Sequence, residues 1–126
     1  MLTSQQRKLI RDRIHAHKRQ DKRKGRDWSN NLTLDDFLRM WQEQNGRCFY
    51  TGLEMTIGQK GSKVEVSIDR LDCSKPHTAD NCVLACASLN FGRGDKPVKE
   101  FCDYLEGMGM LHPDTRAKLR ARGFEA

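Results

Sequence analysis

No apolar run in this chain approaches the roughly 18 residues that a membrane-crossing helix needs, which excludes a helical bilayer span. An even set of cysteines is lacking: the chain has five, an odd count, and no signal peptide is expected ahead of them. A secreted disulfide framework is therefore not expected, and reduced thiols in a cytoplasm are. Internal repeats and low-complexity segments are also missing, and 126 residues suffice for one modest core but not two. Acidic residues are short at one end only. Residues 1–27 hold ten Lys or Arg against three Asp, a balance of +7, while the remaining 99 residues sum to −1.

The N-terminal segment thus carries the whole of the net charge of +6. Its Arg7, Lys8, Arg11, Lys18, Arg19, Lys22, Arg23, Lys24 and Arg26 form a basic arm over residues 1–30, ahead of a second unit at 31–126. Such a segment neutralises phosphates and releases counterions, giving affinity that is sequence-independent and salt-sensitive. Thr3-Ser4-Gln5-Gln6 reads as a capping box, and Leu9, Ile10 and Ile14 give a narrow apolar stripe, so a helix is expected over about 4–20. His15 and His17 stand two apart and do not pair on a helix; both read as surface residues. Gly25 marks a break, and Trp28 reads as the anchor of the arm to the body.

Thr33 caps a second helix with Asp35 and Asp36 in its first turn and Leu34, Phe37, Leu38 and Trp41 on one face. Val64, Val66 and Ile68 alternate with polar residues, the pattern of a half-buried strand ending at Asp69-Arg70. Asp80-Asn81 suits a turn before Cys82-Val83-Leu84-Ala85-Cys86, a continuous apolar run that reads as a buried strand. A short helix from Ala87 follows, with Gly92 and Gly94 closing it. Two further helices are expected, one from Pro97 to Leu105 and a basic one after His112-Pro113-Asp114.

Strand, loop, strand, short helix, with Asp69-Arg70, His77, Asn81 and Asn90 at element boundaries, resembles the ββα-metal nucleases of the His-Asn-His (HNH) class over about residues 47–100. The resemblance implies an α+β fold with a small ββα-metal core surrounded by helices. By its pattern Asp69 and Asn90 match ligands of one divalent cation, Asn81 matches the residue that braces the loop, and Arg93 stands where relatives often carry Lys or Arg. Two departures stand out. The usual general base, a His directly after the Asp, is here Arg70, which cannot release its proton. A branch with Asp-Arg carries a Tyr along the loop, and His77 occupies about that position; His77 is the expected base, with Tyr50 in reserve. The zinc knuckles that pin relatives are reduced to Cys48-Phe-Tyr-Thr51 and Cys86-Ala-Ser-Leu89, half of the four ligands that structural zinc wants. No structural zinc is expected, with Thr51 and Leu89 filling that place.

The resemblance implies a Mg²⁺- or Mn²⁺-dependent endonuclease, phage-associated or homing-type, acting on double-stranded DNA in the cytoplasm of a bacterial or phage-infected cell. Arg70 would stabilise the phosphate and Arg93 clamp a neighbouring one. A single site nicks one strand; a homodimer or partner protein would be needed to cut both. The alternative is a catalytically inactive nucleic-acid clamp, or a subunit of a larger DNA-processing complex. Taken singly, Asp69 and Arg70 also fit a surface ion pair, Asn81 a turn former and Asn90 a helix cap.

Overall fold

The computed structural model describes residues 1–126, the side chain of Phe91 excepted. The first helix, α1 (Ser4–Arg23), starts where Thr3 and Gln6 satisfy each other's backbone N–H groups at 2.9 and 3.1 Å. Lys22 and Arg23 in its last turn complement the helix dipole. Helix α2 (Leu34–Glu43) repeats the device with Thr33 and Asp36. It ends because Asn45 and Gly46 take positive φ. A Cβ on Gly46 would stand 3.0 Å from the Trp41 ring, so the chain can turn back along the indole only with glycine there.

Strands β1 (Val66–Arg70) and β2 (Cys82–Cys86) pair antiparallel, with Val66 opposite Cys86, Ile68 opposite Leu84 and Arg70 opposite Cys82. A single 3₁₀ turn, Ala79–Asn81, delivers the chain into β2. Helix α3 (Ala87–Arg93) leaves β2 without a linker and packs on both strands; it runs through Gly92 and stops where Gly94 takes φ +56°. Helices α4 (Val98–Gly107) and α5 (Thr115–Ala121) complete the chain. The fold is α+β: one hairpin and its following helix, surrounded by four others.

Every residue of β2 is buried, as its continuous apolar run requires of a strand covered on both faces. Around it Phe37, Met40, Tyr50, Phe101, Leu105 and Leu119 form one cluster, and α1 adds Ile10 and Ile14 to that same cluster. At about 1.5–3 kcal/mol for each fully buried aliphatic side chain, these two hold α1 as a wall of the body rather than a loose arm. No described helix is long and apolar enough to cross a membrane.

Candidate active site

Successive strand residues leave by opposite faces, so Ser67 and Asp69 point to one side of β1 and Ile68 and Arg70 to the other. On the first side lies α3. Asn90 donates from Nδ2 to Ser67 Oγ at 2.7 Å, and Arg93, one turn further, donates from Nη1 to Asp69 Oδ2 at 3.0 Å. The Tyr50 hydroxyl donates to that same Oδ2 at 3.1 Å from a ring that packs edge-on against Phe49 and Phe101. Burial is the largest influence on the Asp69 carboxyl and raises its pKa; the Arg93 guanidinium and Tyr50 oppose it. The Tyr50 phenol is pushed up by burial and then by Asp69, so it holds its proton and serves as a donor, not a base.

No described residue donates to Asp69 Oδ1 or to Asn90 Oδ1. The Asp69 side chain keeps 11% of its surface exposed. A carboxylate oxygen and an amide oxygen on one face, each without a protein donor, are hard ligands of the kind that Mg²⁺ or Mn²⁺ takes, with water completing the shell. No three His, Cys, Asp or Glu side chains gather into a metal-binding group among the described residues, so an ion here would rest on one acid and one amide.

Arg93 corrects an expectation. Its position in the motif points to a DNA phosphate, yet its side chain is 2% exposed and is used inside the protein. Besides Asp69, it donates to the carbonyls of Arg70, Leu71 and Lys96. A guanidinium with four internal acceptors is a staple from α3 to the end of β1.

The loop between the strands is fixed by Asn81. Its Oδ1 accepts from Asp72 N at 3.0 Å, and its Nδ2 donates to the carbonyls of Asp72 and Pro76, both at 3.0 Å. Arg70, on the face away from Asp69, donates from Nη1 to the carbonyls of Cys73 and Lys75 at 2.7 and 3.1 Å. No described residue accepts from its Nε or Nη2.

His77 does not stand open beside Asp69. It is 3% exposed and faces α1, where Asp21 Oδ2 lies 3.0 Å from both its backbone N and its Nδ1. Asp21 also accepts from Arg26 Nε at 2.7 Å and Asn31 Nδ2 at 2.7 Å. Burial acts to raise the Asp21 carboxyl, but the hydrogen bonds from His77, Arg26 and Asn31 outweigh it and hold the acid well below the usual range. Burial, then His17, bring the His77 imidazole down to about 4, against the opposing pull of Asp21. The His17 ring stacks on that of His77 with centroids 4.3 Å apart and planes at 24°. His17, read as a surface residue, is therefore half inside; the reason is that it shares the inward side of α1 with Ile10, Ile14 and Asp21 at spacings of four, three and four.

That spacing was the missed signal, because two polar residues continue an apolar stripe. Trp28 also differs from its expected role: its ring is 42% exposed and packs under the ammonium groups of Lys18 and Lys22, at 5.0 and 4.2 Å. Of the other basic residues, Lys8, Arg11, Arg19, Lys22, Arg23 and Lys24 are exposed and Arg7 and Lys18 half-exposed, whereas Arg26 is tied to Asp21.

At the place of the reduced knuckles, Cys86 N donates to Cys48 Sγ at 3.5 Å. The hydrogen bond from Cys86, with further bonds from Thr51, pulls the Cys48 thiol below its ordinary value, and Cys86 moves up in turn. Thr51, half-buried, lies beside Cys48, and Leu89, also half-buried, packs against the core. Two cavities, of about 900 and 570 Å³, are lined by Asn81 and by Arg93 respectively, but neither is lined by Asp69 or Asn90. The candidate site lies at the end of the hairpin, with Asp69 buried and Asn90 half-buried. Comparison of the chain with protein-family models, with curated proteins and with solved structures finds no match to any of them.

Proposed function

We propose that the protein is a divalent-metal-dependent endonuclease that hydrolyses phosphodiester bonds in double-stranded DNA. The observation that carries this reading is the pair of unengaged oxygens, Asp69 Oδ1 on β1 and Asn90 Oδ1 on α3, on one face of a strand–loop–strand–helix unit. Bound there, Mg²⁺ or Mn²⁺ would supply charge neutralisation at the phosphoryl and leaving oxygens. Arg93 and Tyr50 hold Asp69 by Oδ2 and so leave Oδ1 for an ion. Arg70, anchored through Nη1, keeps Nε and Nη2 for phosphate oxygens, where a planar guanidinium stabilises developing charge. The exposed Lys and Arg of α1 meet the flanking backbone phosphates and give binding without sequence preference.

Conversion of supercoiled plasmid to open circles tests the proposal. It should require Mg²⁺ or Mn²⁺, stop with EDTA, and fall roughly 100-fold in Asn90→Ala. A second reading, a non-catalytic DNA clamp, is favoured by one contact: Arg93 already neutralises Asp69. Salt-sensitive DNA binding with no metal-dependent nicking would decide for the clamp.

A further inference from the structure

Arg11, His15, Lys18 and Lys22 recur on α1 at spacings of four, three and four, so they form one stripe along the helix. Trp28, in the segment after α1, lies against that stripe: the ammonium groups of Lys18 and Lys22 stand 5.0 and 4.2 Å from its ring centroid. Beside them is a cavity of about 310 Å³, at the small end of ligand-sized pockets. Trp28 lines it, Ile14 and Leu32, both buried, make it partly apolar, and Arg11 and Lys18 make it positive. No Asp or Glu among the described residues lines it. We infer that this is a binding site for single-stranded DNA, in which an unpaired base stacks on Trp28 and the neighbouring phosphates meet Arg11, Lys18 and Lys22. The inference goes beyond the hydrolytic reading and does not depend on it.

The segment carrying Trp28 is pinned on both sides. Before it, Arg26 donates from its backbone N to the Asp21 carbonyl at 2.9 Å and from Nε to the Asp21 carboxylate at 2.7 Å. After it, Asn31 Nδ2 donates to that carboxylate at 2.7 Å. Between these ties Asp27 Oδ1 accepts from Ser29 N and Oγ at 2.9 and 2.7 Å, closing a turn with Trp28 inside it. The indole is thus held in place, yet packing does not account for it. The chain's other tryptophan, Trp41, stacks on Phe37 and packs against the core, whereas Trp28 is exposed and stands outside the core cluster. A π face with cations beside it meets both needs of an unpaired nucleotide, because every base can stack on an indole and every nucleotide carries a phosphate. A duplex brings the same phosphates, but its bases are already stacked and paired, so it engages the stripe and leaves the indole unused. The site therefore selects for unpaired bases and not for a base sequence.

The test measures binding of the full chain, in EDTA so that no strand is cut, to three fluorescein-labelled probes of equal length: oligothymidine, the same strand with abasic sites in place of its bases, and a blunt duplex. Wild type should bind oligothymidine at least about fivefold more tightly than the abasic strand, and Trp28→Ala should lose about 5- to 150-fold in affinity for oligothymidine, the worth of one stacked base. Trp28→Ala should bind the duplex as wild type does, and Trp28→Phe should regain most of the lost affinity. In Trp41→Phe, which leaves Trp28 as the one indole, oligothymidine should quench the tryptophan emission and the abasic strand should not. If wild type binds the abasic strand as tightly as oligothymidine, or if folded Trp28→Ala binds oligothymidine within about twofold of wild type, the stripe acts by charge alone and the inference is overturned. The abasic comparison uses wild type only, so it decides even where Trp28→Ala fails to fold. Neither result bears on metal-dependent nicking of plasmid, which tests the hydrolytic reading separately.

Discussion

Two buried aspartates, Asp21 and Asp69, sit on opposite sides of the same hairpin end, and their environments push them in opposite directions. Asp21 accepts four hydrogen bonds, from two nitrogens of His77 and from Arg26 and Asn31, and both of its oxygens are occupied. Asp69 accepts two, both at Oδ2. The first carboxyl is held well below its ordinary range although burial works against it, and the second is raised because burial prevails over Arg93 and Tyr50. A fully satisfied buried acid is a fastener. One with an oxygen left over is under-compensated, and a cation arriving at Asp69 would relieve a cost that the fold already bears.

The contrast breaks first if the two acids are equally replaceable. Asp21→Ala would leave Arg26, Asn31 and His77 without their acceptor, and we expect a loss of about 3–5 kcal/mol in urea unfolding. A loss under about 1 kcal/mol would show that α1 is held by Ile10 and Ile14 alone.

Acid titration should show a comparable effect. His77 has a folded pKa of about 4 against about 6.5 when unfolded, so its neutral form favours the fold. That stability is fully present above pH 6.5 and is lost as the pH falls towards 4, by about 3 kcal/mol at one pKa unit per 1.36 kcal/mol. Asp21, also depressed, adds a loss with the same sign below about pH 4. Asp69 has the opposite sign: its raised pKa means that protonation on acidification relieves a cost of folding. Urea unfolding at pH 7 and pH 4.5 should therefore show a steep drop in wild type and a flatter one in His77→Gln; equal slopes would remove His77 from the account.

Asp69→Asn should cost about 1 kcal/mol or less at pH 7, since it discharges a group whose ionisation is penalised while keeping an oxygen for Tyr50 and Arg93. A cost near that of Asp21→Ala would erase the distinction. The smallest effect on stability is expected on the outer side of α1. Lys22→Gln with Arg23→Gln should change stability by no more than about 0.5 kcal/mol and lower the salt slope of DNA binding by about 0.9 for each phosphate that is no longer neutralised. An unchanged slope would place DNA on another surface.

The order of elements was legible in the sequence because its signals are local. Thr3 and Thr33 announce their helices within four residues, and the alternation before Asp69 and the unbroken run after Asn81 separate a strand covered on one face from one covered on both. The contacts of Asn81 were legible too, since its partners lie five and nine positions away within one loop. What the sequence hid is the meeting of polar groups across elements. Arg93 finds Asp69 over 24 positions and His77 finds Asp21 over 56, and neither pair carries a periodic pattern. The charge of residues 1–27 drew attention to the outer side of α1, while its inner side, where His17 and Asp21 extend the line of Ile10 and Ile14, holds the polar groups that reach the hairpin.

The contact between Cys48 and Cys86 also gives the protein a built-in reporter. Hydrogen bonding favours the thiolate of Cys48, the form that attacks alkylating reagents, yet only 3% of the residue is exposed. Reagent access, not ionisation, therefore sets its alkylation rate. Cys73, partly exposed on the loop, should react first. The slower modification of Cys48 then clocks how often the segment carrying Tyr50 lifts away from β2, the opening that would carry the Tyr50 hydroxyl off Asp69.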